Sequence, residues 1–199
     1  MDIVIIKYNA GNIESVRNAL ERLGVKAEVT GDHNRIRNAE KVIFPGVGEA
    51  STTMAYLRRE GLDQLIPSLT QPVLGICLGL QLMCSHSEEG DTTCLGIFDE
   101  PVRRFVPEPG QEFITKVPHM GWNAISELKS GLFNTGMEQQ YVYFVHSYYA
   151  SIGADTAAVC NYIVPFSAAL QRDNFYATQF HPEKSGSVGS EILKNFVQR

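Results

Sequence analysis

Cys77 stands between Gly75 and Gly79, directly after the apolar run Val73-Leu74-Gly75-Ile76. A strand that ends in small residues and turns at once into a helix exposes the residue at the turn, which is how a nucleophile elbow is built. The start of a helix also favours thiolate over thiol, through its dipole and free amides. A structural cysteine in a β–α turn fits this position equally well. Cys84, among Leu82 and Met83, reads as core packing. A nucleophilic thiol needs a base, and the candidates are His33, His86, His119, His146 and His181. His33 and His86 sit in polar stretches and read as solvated. His146 and His181 each follow a strand-like segment. His181 has the better surroundings, His181-Pro182-Glu183. Proline holds the intervening backbone extended, so residues two apart project to one side. Glu183 is then placed to accept a hydrogen bond from the imidazole, the orienting role of the third group in a triad. A surface His-Pro-Glu turn would be the plainer reading if Cys77 were absent.

Acyl-transfer chemistry also needs donors for a developing oxyanion. Pro45-Gly46-Val47-Gly48 supplies a glycine-flanked amide at Val47, which together with the amide of Leu78 would form such a hole. The same loop contains neither Gly-Lys-Ser/Thr nor GxGxxG, so a phosphate or dinucleotide cradle is a poor reading. The cysteines Cys77, Cys84, Cys94 and Cys160 include no CxxC pair. Cys84-x-His86 lacks the second pair that a zinc site needs.

The elements that must position these groups follow from the apolar patterning. Strand-like runs at 3–6, 26–30, 41–44 and 73–76 alternate with helical segments, the first at 12–23 with Asn12 as its cap and Gly24 as its stop. A second helix passes through Met54 and Leu57, and a third contains Leu78, Gln81 and Leu82. This βαβα rhythm predicts a parallel sheet covered by helices. The second half reads as strands near 103–105, 141–145, 157–160, 167–171 and 176–180, followed by an amphipathic helix over 187–197. No repeat or linker divides the chain, so the expectation is a single domain over 1–199. The fold class is α/β, with an open, mixed, mostly parallel sheet and helices on both faces.

Net charge is −5, the hydrophobic fraction 44% and the charged fraction 20%. With no basic stripe, nucleic acid and anionic membranes are poor partners. No stretch approaches the about 18 continuous apolar residues of a membrane span, and no signal peptide opens the chain. A cytoplasmic location is the simplest reading, and a disulfide framework is not expected.

In that order, and covering nearly the whole chain, Pro45-Gly46-Val47-Gly48, Gly75-Ile76-Cys77-Leu78-Gly79-Leu80-Gln81 and Gln179-Phe180-His181-Pro182-Glu183 resemble the class I glutamine amidotransferases. The resemblance implies a flavodoxin-like arrangement of the sheet and glutamine as substrate. It also implies Cys77, His181 and Glu183 as catalytic residues, with no cofactor or metal. Gln81 and Glu89 would hold the amino-acid end of the substrate, with contacts from Val47, Gly48, Leu78, Ser147 and Tyr148. Tyr8 with Gly11-Asn12, the PGVG loop, Pro118-His119-Met120-Gly121-Trp122-Asn123 and His181-Pro182-Glu183-Lys184-Ser185 narrow the likeness. They point to the branch that feeds ammonia to a separate (β/α)8 cyclase subunit in histidine biosynthesis, as a heterodimer. Lys7, where many relatives are acidic, and Asn9-Ala10 depart from the common pattern. By this likeness Asn12, Pro118, Met120, Trp122 and Lys184 lie near the junction, although core packing suits Trp122 and Met120 equally well. A cysteine peptidase, a catalytically idle scaffold partner, and an amidotransferase of another pathway remain alternatives at this level.

Overall fold

The computed structural model describes residues 1–8, 12–110 and 115–199. Gly11 and the departures at Asn9 and Ala10 lie outside the described residues. The chain begins with β1 (Ile3–Ile6), α1 (Ile13–Arg22), β2 (Ala27–Thr30), α2 (His33–Asn38) and β3 (Lys41–Gly46). It continues through α3 (Ala50–Arg59), α4 (Leu62–Leu65), β4 (Val73–Cys77) and α5 (Leu78–Met83). Short strands β5 (His86–Ser87), β6 (Thr92–Thr93) and β7 (Val102–Arg104) lead to β8 (His119–Ala124), β9 (Tyr141–His146) and β10 (Tyr148–Ala150). Three further strands and a helix follow: β11 (Thr156–Asn161), β12 (Pro165–Arg172), β13 (Phe175–Thr178) and α6 (Gly186–Val197).

The main sheet has the order β11-β12-β13-β4-β3-β1-β2. Strands β2, β1, β3, β4 and β13 are parallel, and β12 and β11 extend the sheet antiparallel beyond β13. Read along the parallel strands, the order is the 2-1-3-4-5 of a flavodoxin-like sheet. Alternation along the strands divides the core into two layers. Val4 and Ile6 pack on one face with Ile36, Met54, Leu57 and Leu65, from α2, α3 and α4. Ile3 and Ile5 pack on the other with Val16 and Leu20 of α1 and Leu193 and Phe196 of α6. Strands covered on both faces are apolar throughout, which is why β1 and β4 stand out in the sequence.

The structure departs from the sequence pattern in several places. The polar stretch around His33 is solvated as expected, but it also holds α2, which the pattern does not show. This helix is short, capped by Asp32, which accepts from the Arg35 amide at 2.8 Å, and buries only Ile36, too little for a periodic signal. The pattern also gives no sign of α4, β5, β6, β8 and β10. β3 runs on to Gly46 and β13 stops at Thr178, short of the expected 176–180. Asn12 occupies the N-cap position of α1 but makes no side-chain cap. Its φ of 75° turns the residue out of the cap geometry. Met120 and Trp122 are 63% and 54% exposed, which overturns core packing for both.

Candidate active site

The turn after β4 forces Cys77 into φ 54°, ψ −105°, a left-handed region that a side chain enters only when its surroundings fix it. Tight packing does so here. A Cβ at Gly75 would come 2.8 Å from Met83 Sδ, and one at Gly79 would fall inside the carbonyl oxygen of Phe44. Both glycines let α5 fold back across β3 and β4. Strand register sets Gly46 opposite Cys77, so Val47 and Leu78 are the next residues at the carboxyl ends of neighbouring strands.

His181 arrives from the other side of β4, because β13 is the parallel neighbour of that strand. Its amide donates to Tyr143 O at 2.9 Å. Ser185 Oγ donates to His181 O at 2.7 Å and accepts from the Tyr143 amide at 2.9 Å, fastening the turn to β9. The segment is not extended throughout, as proline alone would suggest. His181 is extended (φ −97°, ψ 96°) and Pro182–Lys184 form a 3-10 turn. The outcome for the side chains is nevertheless the expected one, with His181 Nδ1 2.8 Å from Glu183 Oε1. Both side chains are shut off from solvent. Asn12 Nδ2 also donates to Glu183 Oε1 and lies 3.3 Å from Nδ1. With Nδ1 committed to the carboxylate, Nε2 is the free nitrogen, and it is buried without a hydrogen bond. Burial works against the imidazolium, yet the Cys77 sulfur and the Glu183 carboxylate together outweigh it and push His181 up to about 10.

His146, the alternative base, is fully engaged elsewhere. Its Nδ1 lies 2.7 Å from Tyr148 O and its Nε2 3.1 Å from His119 Nδ1. Burial pushes it down to about 3 and His119 down to about 4. The carbonyl at Tyr148 requires N–H on His146 Nδ1, which leaves Nε2 as an acceptor for His119. His33 and His86 are surface residues, set against Glu60 O and Asp91 respectively, each at 2.9 Å. Cys84 Sγ donates to Leu80 O at 3.4 Å.

The thiol opens into a cleft of about 270 Å³. Val47, Gly48, Leu78, Gln81, Glu89, Ser147 and Tyr148 all line it with Cys77, joined by Val145 and His146. The structure thus brings every residue of the expected substrate set to one place, with His181 and Glu183 behind the nucleophile. Glu89 Oε2 accepts from the Ala50 amide at 2.8 Å. Burial still raises its pKa, with Glu49 adding to the shift, so a cationic ligand group there would be welcome. Gln81 spends both amide hydrogens on protein acceptors, Tyr148 O at 2.8 Å and Gln179 Oε1 at 3.0 Å. What it can offer a ligand is Oε1, an acceptor. Two acceptors, one of them anionic, suit an α-ammonium group. A wider groove of about 920 Å³ near Lys7, Tyr56 and Arg59 is lined by no cysteine or histidine among the described residues.

Two residues of the site escape sequence reasoning. Gln179 is fully buried and donates from Nε2 to Cys77 Sγ at 3.7 Å. It lies inside the third motif, but nothing local marks its side chain as inward. Asn12, expected near a junction, bonds to Glu183 across 171 positions, a contact no local pattern encodes.

A flavodoxin-like sheet with a strained thiol at one strand end and an imidazole–carboxylate pair at the next is the arrangement that thiol acyl transfer requires of an α/β enzyme. Residues 4–199 match the family model for glutamine amidotransferase class-I, and the chain belongs to that family. It is 61% identical over 198 residues to a Bacteroides fragilis protein named imidazole glycerol phosphate synthase subunit HisH, covering 100% of both chains. A Haemophilus influenzae protein of the same name is 44% identical over 200 residues, covering 100% of this chain and 98% of that one. Among solved structures, a glutamine amidotransferase from Thermotoga maritima shares the fold. Its TM-score is 0.62 at 14% identity, over 100% of this chain and 83% of that one.

Proposed function

We propose that this chain is the glutaminase subunit of imidazole glycerol phosphate synthase, a single glutamine amidotransferase domain over 1–199. It hydrolyses glutamine to glutamate and passes the ammonia to a separate (β/α)8 cyclase subunit in histidine biosynthesis. The observation that carries this reading is the His181–Glu183 pair set behind Cys77, at the back of a cleft whose free acceptors match an amino-acid ammonium. The full-length likeness to proteins named HisH supports the pathway and the partner.

In the mechanism, Cys77 Sγ attacks the side-chain carbonyl carbon of glutamine. The C–S bond forms as the carbonyl electrons move to oxygen, which the Val47 and Leu78 amides receive. Collapse expels ammonia, and His181 Nε2 supplies the proton, a role suited to an imidazole held charged at rest. The neutral imidazole, backed by Glu183, then takes a proton from water as it attacks the γ-glutamyl thioester. The C–S bonding pair returns to sulfur, glutamate leaves, and the sulfur and the charged imidazole of the resting site are restored. Gln81 Oε1 and Glu89 hold the ammonium end, while Gly48, Ser147 and Tyr148 shape the cleft. No described helix is long and apolar enough to cross a membrane, and a cytoplasmic location accords with the proposed pathway.

The test is Cys77→Ser in complex with the cyclase. The expected result is loss of glutamine-dependent turnover with ammonium-dependent turnover kept. Substantial glutamate release by the variant would remove Cys77 as nucleophile. Absence of glutamate release from the parent complex would favour an idle scaffold, and peptide cleavage would favour a peptidase.

A further inference from the structure

We infer that Gln179 is a positioning residue that ties the glutamine-binding amide of Gln81 to the sulfur of Cys77; the inference rests on the proposed role of Cys77 as nucleophile. A fully buried primary amide is costly unless its polar atoms are paired. Among the described residues, Gln179 pairs its side chain with site residues alone: Oε1 with Gln81 Nε2 at 3.0 Å and Nε2 with Cys77 Sγ at 3.7 Å. Its own backbone is anchored separately, the amide donating to Ala168 O at 2.8 Å.

The direction of this chain is fixed from one end. Tyr148 O is a backbone carbonyl and can only accept, so the Gln81 atom 2.8 Å away must be the nitrogen. The second hydrogen of that nitrogen then requires an oxygen on Gln179. The remaining Gln179 group, N–H, is left facing the sulfur. One acceptor carbonyl therefore sets two amides, presenting an acceptor to the substrate ammonium and a donor to the nucleophile. A donor on sulfur favours its anionic form. The other titratable groups around the thiol are His181 and Glu183 from the turn after β13, and His146 and Tyr148 from the β9–β10 corner. Tyr8, two residues past β1, and Glu89 across the cleft complete the set among the described residues. None of them changes in the variants below.

Two substitutions separate the two tasks. Gln179→Leu removes both the acceptor and the donor. It should raise KM for glutamine by about tenfold, the scale of one lost hydrogen-bond lock. It should also move the pH profile of Cys77 alkylation by iodoacetamide upward by about half a unit or more. Gln179→Glu keeps an oxygen for Gln81 but sets a second oxygen against the sulfur. Its KM should stay near that of the parent, while kcat falls and the alkylation profile moves up. A residue that merely filled space would change the unfolding temperature without splitting KM from kcat or moving the profile. A measurement on the unsubstituted chain covers variants that do not fold: the side-chain amide resonances of Gln179 should shift when iodoacetamide caps Cys77. Unchanged resonances, or variants with the KM and alkylation profile of the parent, overturn the inference. If those results came with an inactive Cys77→Ser, only the positioning role would fall. Glutamate release by Cys77→Ser would remove the reading of the site itself.

Discussion

His181 and Glu183 divide one task unequally, and the geometry says how. In the proposed mechanism the imidazole carries protons to ammonia and from water, whereas the carboxylate, 2.8 Å from Nδ1, fixes which nitrogen is free. Asn12 shares that duty by donating to the same carboxylate oxygen. Removing the proton carrier should therefore cost more than neutralising its partner. His181→Ala is expected to lower kcat by about 10- to 100-fold more than Glu183→Gln, by analogy with the unequal members of other triads. Steady-state glutamate release from the two variant complexes measures this, and equal losses would show that the carboxylate does more than orient. Cys77, His181 and Glu183 are legible in the sequence as residue types at suggestive positions. Gln179 is not, because the feature that matters is where a polar side chain points, and that is decided by strands about a hundred residues apart in the chain.

At the scale of elements, the pairing of β8 with β9 sets His119 opposite His146. Both rings are buried among Phe105, Phe144 and Phe166, and burial pushes them down to about 4 and about 3. An unfolded histidine binds a proton near its ordinary 6.5, so between that value and about 4 the unfolded chain takes up protons that the folded chain refuses. The stability contributed by the two neutral rings is whole above 6.5 and is lost as pH falls through that window. The urea midpoint of the parent should drop across the window, and His146→Gln should drop less steeply. Parallel pH curves for parent and variant would exclude the pair as the source. Sequence patterning finds β1, β3 and β4 because strands buried on both faces are apolar nearly throughout, Lys41 at the start of β3 being the exception. It passes over β8, where Met120 and Trp122 face outward while His119 faces in, and over α2, whose only buried side chain is Ile36. The His146-Ser147-Tyr148 corner between β9 and β10 walls the cleft, and a change of direction leaves no periodic trace.

For the whole molecule, the exposed side chains of Pro118, Met120, Trp122 and Lys184 lie on or directly beside elements that hold the site, β8 and the turn carrying Glu183. Large apolar side chains left in solvent are characteristic of a surface that is covered in the working assembly. Binding of the cyclase and its nucleotide ligand is expected to raise kcat for glutamine by about 100-fold over the isolated chain. Trp122→Ala is expected to weaken association by about 2 kcal/mol or more while leaving the unfolding midpoint of the free chain unchanged. Titration of the cyclase with parent and variant chains checks both, and an unaltered Kd would place the contact elsewhere. One further consequence follows from β13 lying beside β4. Cys77 and Gln179 are neighbours in space but 102 positions apart in sequence. A ribosome moving at about 5–20 residues per second makes the elbow roughly 5–20 seconds before Gln179, His181 and Glu183. Through that interval the nascent chain carries a thiol with no base, no orienting carboxylate and no amide on its sulfur. Under the proposed mechanism every molecule is thus born inert, and glutamine in the surrounding fluid is safe from it until the sheet closes.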